Sequence, residues 1–219
     1  IGFQNYEIFY LMMLMRKISE LLILLLFVIS VSSCKNRSEN KTENEKSQST
    51  AVEPLRISSP EEEQALRDAC LEGNHEMARE IISRNININA VDQDGRSALM
   101  FAAFNGHTGI VNDLLEKGAE VDIIDFNGRT ALIYASTGPF KETVEILLEH
   151  GADPNIVDNE EHFTALMYAA AEGNREVAEI LLENNADPHL EDIDGDDAEA
   201  FARQNEHAGL AEMISRYKK

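Results

Sequence analysis

Hydrophobic residues recur along the second half of this chain with two nested spacings. Within residues 110–115 they fall at positions one, two, five and six, which places them on one face of a helix. The same spacing returns at 143–148 and again at 177–182. A helix with one apolar face needs a neighbour to bury that face. The pattern therefore predicts a stack of similar helical units.

A short string that precedes each of these helices repeats with the same period. It reads Ser-Ala-Leu-Met-Phe-Ala-Ala at 97–103, Thr-Ala-Leu-Ile-Tyr-Ala-Ser at 130–136 and Thr-Ala-Leu-Met-Tyr-Ala-Ala at 164–170. Gly95 and Gly128 stand just before the first two copies, where a tight turn with positive φ favours glycine. A fixed period of about 33 residues marks stacked repeats. Such stacks usually form binding surfaces and rarely carry catalytic sites.

A third repeated feature lies just after the second helix of each unit. Asparagine and glycine are the residues that most readily close a helix in the left-handed conformation. One of the two occupies each equivalent place: Asn85, Gly118, Gly151 and Asn185. The sequence therefore predicts a left-handed residue at all four positions.

Together, the string and the period resemble the ankyrin repeat, whose family pattern is Thr-Pro-Leu-His-x-Ala. The resemblance covers residues 61–219 and implies an all-α solenoid of helix-turn-helix repeats with β-turn fingers. The expected repeats are 61–91, 92–124, 125–157, 158–191 and a truncated closing unit, 192–219. Apolar residues replace the family's His: Met100, Ile133 and Met167. We therefore expect apolar packing where the family has a polar link, and polar outer faces on the terminal units.

Two further features distinguish individual repeats. Aromatic residues align at Phe101, Tyr134, Tyr168 and Phe201, and we interpret them as stacked core rather than ligand contacts. The third junction contains one extra residue within 158–163, and His162 stands where the earlier copies have glycine. Its turn must differ, so it is either a recognition loop or a tolerated insertion.

The resemblance also implies where a partner binds, because ankyrin proteins use a concave groove of turn tips and first helices. Aromatic residues and arginine are enriched at binding hot spots, so Phe104, Phe126, Arg129 and Phe163 are the first candidates. A turn phenylalanine that folds back onto its neighbour is the alternative for each. The full set is Gln93, Asp94, Arg96, Phe104, Asn105, Phe126, Asn127, Arg129, Glu160, Glu161, Phe163 and Glu172.

The N-terminal region has the pattern of a secretory signal. Met12, Met13 and Met15 are candidate starts, and a start at Met15 would leave residues 1–14 untranslated. Basic residues 16–17 precede an apolar run at 21–31, which is about half of the roughly 20 residues that a membrane-spanning anchor, the alternative, needs. Small residues then precede Cys34, an ending that resembles the lipobox of bacterial lipoproteins. We expect a signal peptide over 1–33 and a lipid-anchored protein of the bacterial cell envelope, on the periplasmic side or in the outer membrane.

From Cys34 to residue 60 the chain is mainly Asn, Ser, Glu, Lys and Thr, which predicts a flexible tether. Beyond it, from Glu61 to the end, 34 acidic residues face 12 basic ones within a total net charge of −21. Such a field disfavours nucleic acid and anionic lipid surfaces as direct partners, and it favours basic proteins or cations. The alternative is that the charge only keeps the protein soluble.

Candidate chemistry is sparse. Cys70 aligns with the small residues Ala103, Ser136 and Ala170, so we interpret it as a buried spacer rather than a nucleophile. The histidines lack metal-ligand spacing, and the acidic segment 192–197 lacks the glycine and glutamate positions of a calcium loop. We expect a monomeric, non-catalytic protein-interaction module without a cofactor or metal. An acidic cation-binding surface protein is the first alternative, and a hydrolase or redox enzyme is the second.

Overall fold

The computed structural model describes residues 58–218, which form ten helices and two isolated β-bridges. Cys34, the predicted signal peptide and most of the predicted tether lie outside these residues. The helices are α1 (Pro60–Glu72), α2 (His75–Ile82), α3 (Ala98–Phe104), α4 (Thr108–Glu116), α5 (Ala131–Ser136), α6 (Lys141–Glu149), α7 (Ala165–Ala171), α8 (Arg175–Glu183), α9 (Ala198–Gln204) and α10 (Ala208–Tyr217). Each predicted repeat contains one helix pair, so the domain is an all-α solenoid.

The repeated string begins a helix because its first residue is an N-cap. The hydroxyls of Ser97, Thr130 and Thr164 each accept the backbone N–H three residues further on, at 3.2–3.3 Å. These bonds satisfy donors that the first turn of a helix otherwise leaves without partners. In the last repeat the carboxylate of Asp197 caps α9 in the same way.

The predicted left-handed residues are confirmed. The φ angles are 56° at Asn85, 88° at Gly118, 86° at Gly151 and 68° at Asn185. At these positions the chain leaves the second helix of one repeat and turns toward the next, so these residues mark where each helix pair ends.

The helices form two layers. Odd-numbered helices pack on odd-numbered neighbours, and even-numbered helices on even-numbered ones. Leucines at equivalent positions are almost fully buried, and each stabilises the stack by about 1.5–3 kcal/mol: Leu99, Leu132 and Leu166 in the first layer, and Leu114, Leu147 and Leu181 in the second. Met100, Ile133 and Met167 are also buried, which confirms the predicted apolar packing at the family's His position.

Polar groups close both ends of the described domain. Ser59 and Glu62 form a reciprocal capping box at the start of α1, so the folded unit begins at Ser58, three residues before the predicted start at residue 61. At the other end, Lys218 pairs with Asp197 and with Glu199, which replaces the leucine of the other repeats. Between residues 58 and 218 no helix is long and apolar enough to cross a membrane.

Candidate functional site

Four short turns, here called fingers, precede the first helices of repeats 2 to 5 and span 92–96, 125–129, 158–163 and 192–196. Each finger begins with an aspartate, and these aspartates recur with the period of the repeats. The Oδ1 atom of Asp92 accepts the backbone N–H groups of Asp94 and Arg96, both at 2.9 Å. Asp125, Asp158 and Asp192 bond their own fingers in the same manner. Their regular spacing is a sequence signal for these turns that the predictions above do not include.

The third finger differs, as its extra residue predicts. Asp158 accepts the N–H groups of Glu161 and Phe163, which lie three and five residues further on instead of two and four. His162 adopts a φ of 60°, close to the 81° of Gly95 in the first finger. The insertion therefore enlarges the tip without breaking the aspartate-centred turn.

In the first two fingers the second oxygen of the aspartate accepts from different donors. In the second finger the hydroxyl of Tyr134 donates to Asp125 Oδ2 at 2.6 Å. The first finger has Phe101 at the equivalent place, which carries no hydroxyl, and Arg96 donates to Asp92 Oδ2 from Nε and Nη2 at 3.0 and 2.8 Å. Burial raises the pKa of Asp92, but the hydrogen bonds from Arg96 and from the N–H of Asp94, together with the positive charge of Arg96, outweigh burial, so the pKa is lowered.

Arg129 is the equivalent of Arg96, but it contacts the next finger. Its Nη2 atom lies 3.0 Å from Glu160 Oε2, and its Nε atom lies 3.5 Å from Asp158 Oδ2. Arg129 thus joins the second and third fingers electrostatically, whereas Arg96 bonds only within its own finger. Both guanidinium groups are paired inside the chain.

Backbone hydrogen bonds connect successive fingers. The N–H of Phe126 donates to Asp94 O at 3.0 Å, and that of Asn159 donates to Asn127 O at 2.7 Å. The N–H of Ile193 donates to Glu161 O at 3.1 Å. The four tips therefore form a connected row that is organised before any partner arrives.

The predicted site residues differ widely in their exposure. Phe126 is 73% exposed, whereas Arg96 is only 9% exposed and lies 5.0 Å above the ring of Phe101. Exposed positions are Gln93, Asp94, Glu160, Glu161 and Glu172, and half-buried ones are Phe104, Asn105, Asn127, Arg129 and Phe163.

Two of the candidate phenylalanines pack against neighbours. Phe104 meets the ring of Tyr134 edge-on, with centroids 5.9 Å apart. The ring centroid of Phe163 lies 5.4 Å from that of Tyr168 and 4.7 Å from that of Phe201. Phe163 therefore folds back onto its neighbours, which is the alternative stated above for a turn phenylalanine. Phe101, Tyr134 and Tyr168 are buried, which confirms them as core, and Phe201 is half-buried.

Exposed aliphatic residues near the fingers were not anticipated. Val91 and Ile124 immediately precede the first and second fingers and are 46% and 52% exposed. Ile193, at the tip position that Phe126 has in the second finger, is 56% exposed. In the sequence, each of these residues is an apolar side chain within or directly before an otherwise polar turn, and this feature could have identified them.

The cysteine considered for catalysis is inaccessible, and two carboxylates of the acidic segment 192–197 have structural partners. Cys70 is fully buried, and burial raises its pKa to about 12, which keeps the thiol protonated. In the last finger, Asp192 accepts backbone N–H groups and Asp196 accepts from Gln204. Residues 58–218 contain no group of three His, Cys, Asp or Glu side chains arranged to hold a metal ion.

A family model for ankyrin repeats, in three copies, matches residues 24–125 and 120–192. The chain belongs to the ankyrin-repeat family. Ankyrin repeats generally mediate protein–protein interaction, and ankyrin-repeat proteins are typically non-catalytic interaction modules. No curated protein matches this sequence. The finger row of this ankyrin-repeat domain is therefore its candidate functional site.

Proposed function

We propose that this ankyrin-repeat protein is an envelope lipoprotein, anchored through Cys34, that captures another protein with its finger row and first-layer helices. The observation that carries the proposal is the exposure of Phe126 on a row of tips already joined by backbone hydrogen bonds. A large aromatic side chain held in water on a rigid support is the usual composition of a binding hot spot.

Preorganisation supports this function energetically. Binding loses less free energy to ordering when the contact groups are already in place. The aspartate turns and the finger-to-finger bonds leave the tips little backbone freedom. A partner therefore meets a preformed surface instead of ordering four separate loops.

Site-specific photo-cross-linking in intact cells tests the binding surface. A photoreactive residue at Phe126 or Glu161 is expected to yield a discrete cross-linked protein. The matched control places it at Glu149 or Glu179, which are exposed on the second-layer helices α6 and α8. Cross-links from the second layer alone would overturn the assignment of the finger row.

Membrane tethering has its own test. Cys34→Ser removes the only thiol in the lipobox-like ending, and two or more acyl chains are needed for stable anchoring. We expect the variant to move from the membrane fraction to the soluble envelope fraction with its folded domain intact. Unchanged membrane association would contradict the lipoprotein assignment without affecting the cross-linking result.

A further inference from the structure

Exposed apolar side chains concentrate at the fingers. Six large hydrophobic residues are exposed in the described part of the chain, and four of them lie in a finger or directly before one. They are Val91, Ile124, Phe126 and Ile193. This concentration distinguishes the finger row from a surface with scattered single hydrophobics, which need no explanation.

The ring of Phe126 is oriented by the preceding finger. Its Cδ1 atom would lie 3.0 Å from a Cβ atom built on Gly95, so the ring rests against the bare backbone of the first finger. The backbone N–H of Phe126 is bonded to Asp94 O in that same finger. One side of the ring is thus supported, and the 73% exposure leaves the remainder open to a partner.

The charge around these apolar tips has one sign. The two finger arginines, Arg96 and Arg129, are neutralised by Asp92, Asp94, Asp158 and Glu160. Nearby carboxylates that have no cationic partner within residues 58–218 are Glu161 and Asp194 in the fingers and Glu172 at the end of α7. A partner therefore meets exposed apolar groups together with unpaired negative charge.

This combination selects the chemistry of the occupant. A second copy of the chain would bring another net charge of −21 to the surface and would be repelled. A cationic segment gains long-range attraction from the carboxylates, and an exposed aromatic ring also attracts arginine or lysine through its face.

We propose that the finger row docks a lysine- or arginine-rich protein segment that places an apolar side chain beside Phe126 and Ile193. The inference rests on the proposed function and adds the chemical class of the partner. Binding of such a segment weakens as salt rises, because the carboxylates supply part of the attraction.

Two fluorescent peptides of equal charge test the proposal with the full-length protein. One alternates lysine with leucine, and the other alternates lysine with serine. We expect the lysine–leucine peptide to bind more tightly, and Phe126→Ala to weaken it about tenfold while weakening the lysine–serine peptide much less, through the lost cation–π contact alone. Equal binding of the two peptides to the wild-type protein would overturn the apolar part of the proposal.

A charge-matched pair of variants separates the finger row from general acidity. Glu161→Gln with Asp194→Asn removes two charges at the fingers, and Glu149→Gln with Glu179→Gln removes two from the second layer. We expect the finger pair to weaken both peptides about fivefold at low salt and the control pair to leave them unchanged. Equal weakening by both pairs would overturn the inference.

Mass spectrometry of the partner segment cross-linked from position 126 distinguishes this inference from the broader function. A lysine- or arginine-rich segment supports it. A neutral or acidic segment would overturn the partner class while leaving protein capture by the fingers intact.

Discussion

The carboxylate of Asp122 accepts the backbone N–H of Asp153 at 3.2 Å, across the junction between the second and third repeats. Asparagine occupies the equivalent place at two other junctions. The side chain of Asn89 accepts the backbone N–H of Glu120 and donates to the Glu120 carboxylate. The side chain of Asn155 likewise accepts the N–H of Asp187 and donates to the backbone carbonyl of Asn185. An ionised aspartate can only accept, so its junction lacks the second bond.

Asp122→Asn is therefore expected to stabilise the domain, by about 0.5–1.5 kcal/mol for the added hydrogen bond. Chemical denaturation at pH 7 measures the effect. Asn155→Asp is the mirror-image control and is expected to destabilise the domain. Stabilisation by both changes, or by neither, would contradict this account of the junction.

The same carboxylate predicts a dependence on pH. Burial raises the pKa of Asp122, and the charge of Asp153 adds to that effect, while the hydrogen bond from Asp153 N–H opposes it. A folded-state pKa above the usual 3.8 means that the folded form binds the proton more tightly. This contribution to stability is fully present below the ordinary pKa and is lost as pH rises through the folded-state pKa. The stability gap between Asp122→Asn and the wild type should thus be larger at pH 7 than near pH 4.

Removing the Tyr134 hydroxyl should destabilise the second finger. Tyr134→Phe leaves Oδ2 of the buried Asp125 without its 2.6 Å donor, and a buried acceptor without a partner costs about 1–3 kcal/mol. Thermal and denaturant unfolding measure the loss. Tyr217→Phe removes a hydroxyl from an exposed tyrosine and should have almost no effect, so equal losses would argue against the proposed role of the bond.

Introducing glycine at position 162 of the third finger is expected to stabilise the domain, and removing the glycine at position 128 of the second finger is expected to destabilise it. His162→Gly relieves a left-handed φ of 60° and should stabilise the domain by about 1 kcal/mol. Gly128→Ala should destabilise it, because the new Cβ would lie 2.7–2.9 Å from Asn159 at a φ of 77°. If Gly128→Ala stabilised the domain instead, the close approach of Asn159 to residue 128 would not constrain the second finger, which would contradict this account.

Calcium is expected to produce no saturable rise in unfolding temperature. The carboxylates of Asp192, Asp196 and Asp197 already bond backbone or side-chain donors, whereas calcium requires about six to eight oxygen ligands. Titration against sodium chloride of equal ionic strength separates binding from screening. A saturable shift specific to calcium would favour the cation-binding alternative.

Much of the fold was predictable because its determinants are local. The N-caps at Ser97, Thr130 and Thr164 and the left-handed residues at the helix ends depend on nearby residues only. The aspartate register of the fingers is local as well, and its spacing would have predicted the turns. The assignment of the finger row as a binding surface, and of Cys34 as a lipid anchor, stays a prediction.

The sequence by itself determined the period, the left-handed residues that close the second helices, the buried faces and the acidic charge, since each follows from residue type and spacing along one segment. Only the tertiary structure decided the fate of similar residues in different repeats. Arg96 bonds Asp92 in its own finger, whereas Arg129 pairs with Glu160 in the finger of the next repeat. Likewise, Phe163 is covered by Tyr168 and Phe201, whereas Phe126 lies over Gly95 and keeps most of its ring in water. These outcomes depend on contacts between repeats, which a pattern along one repeat does not contain.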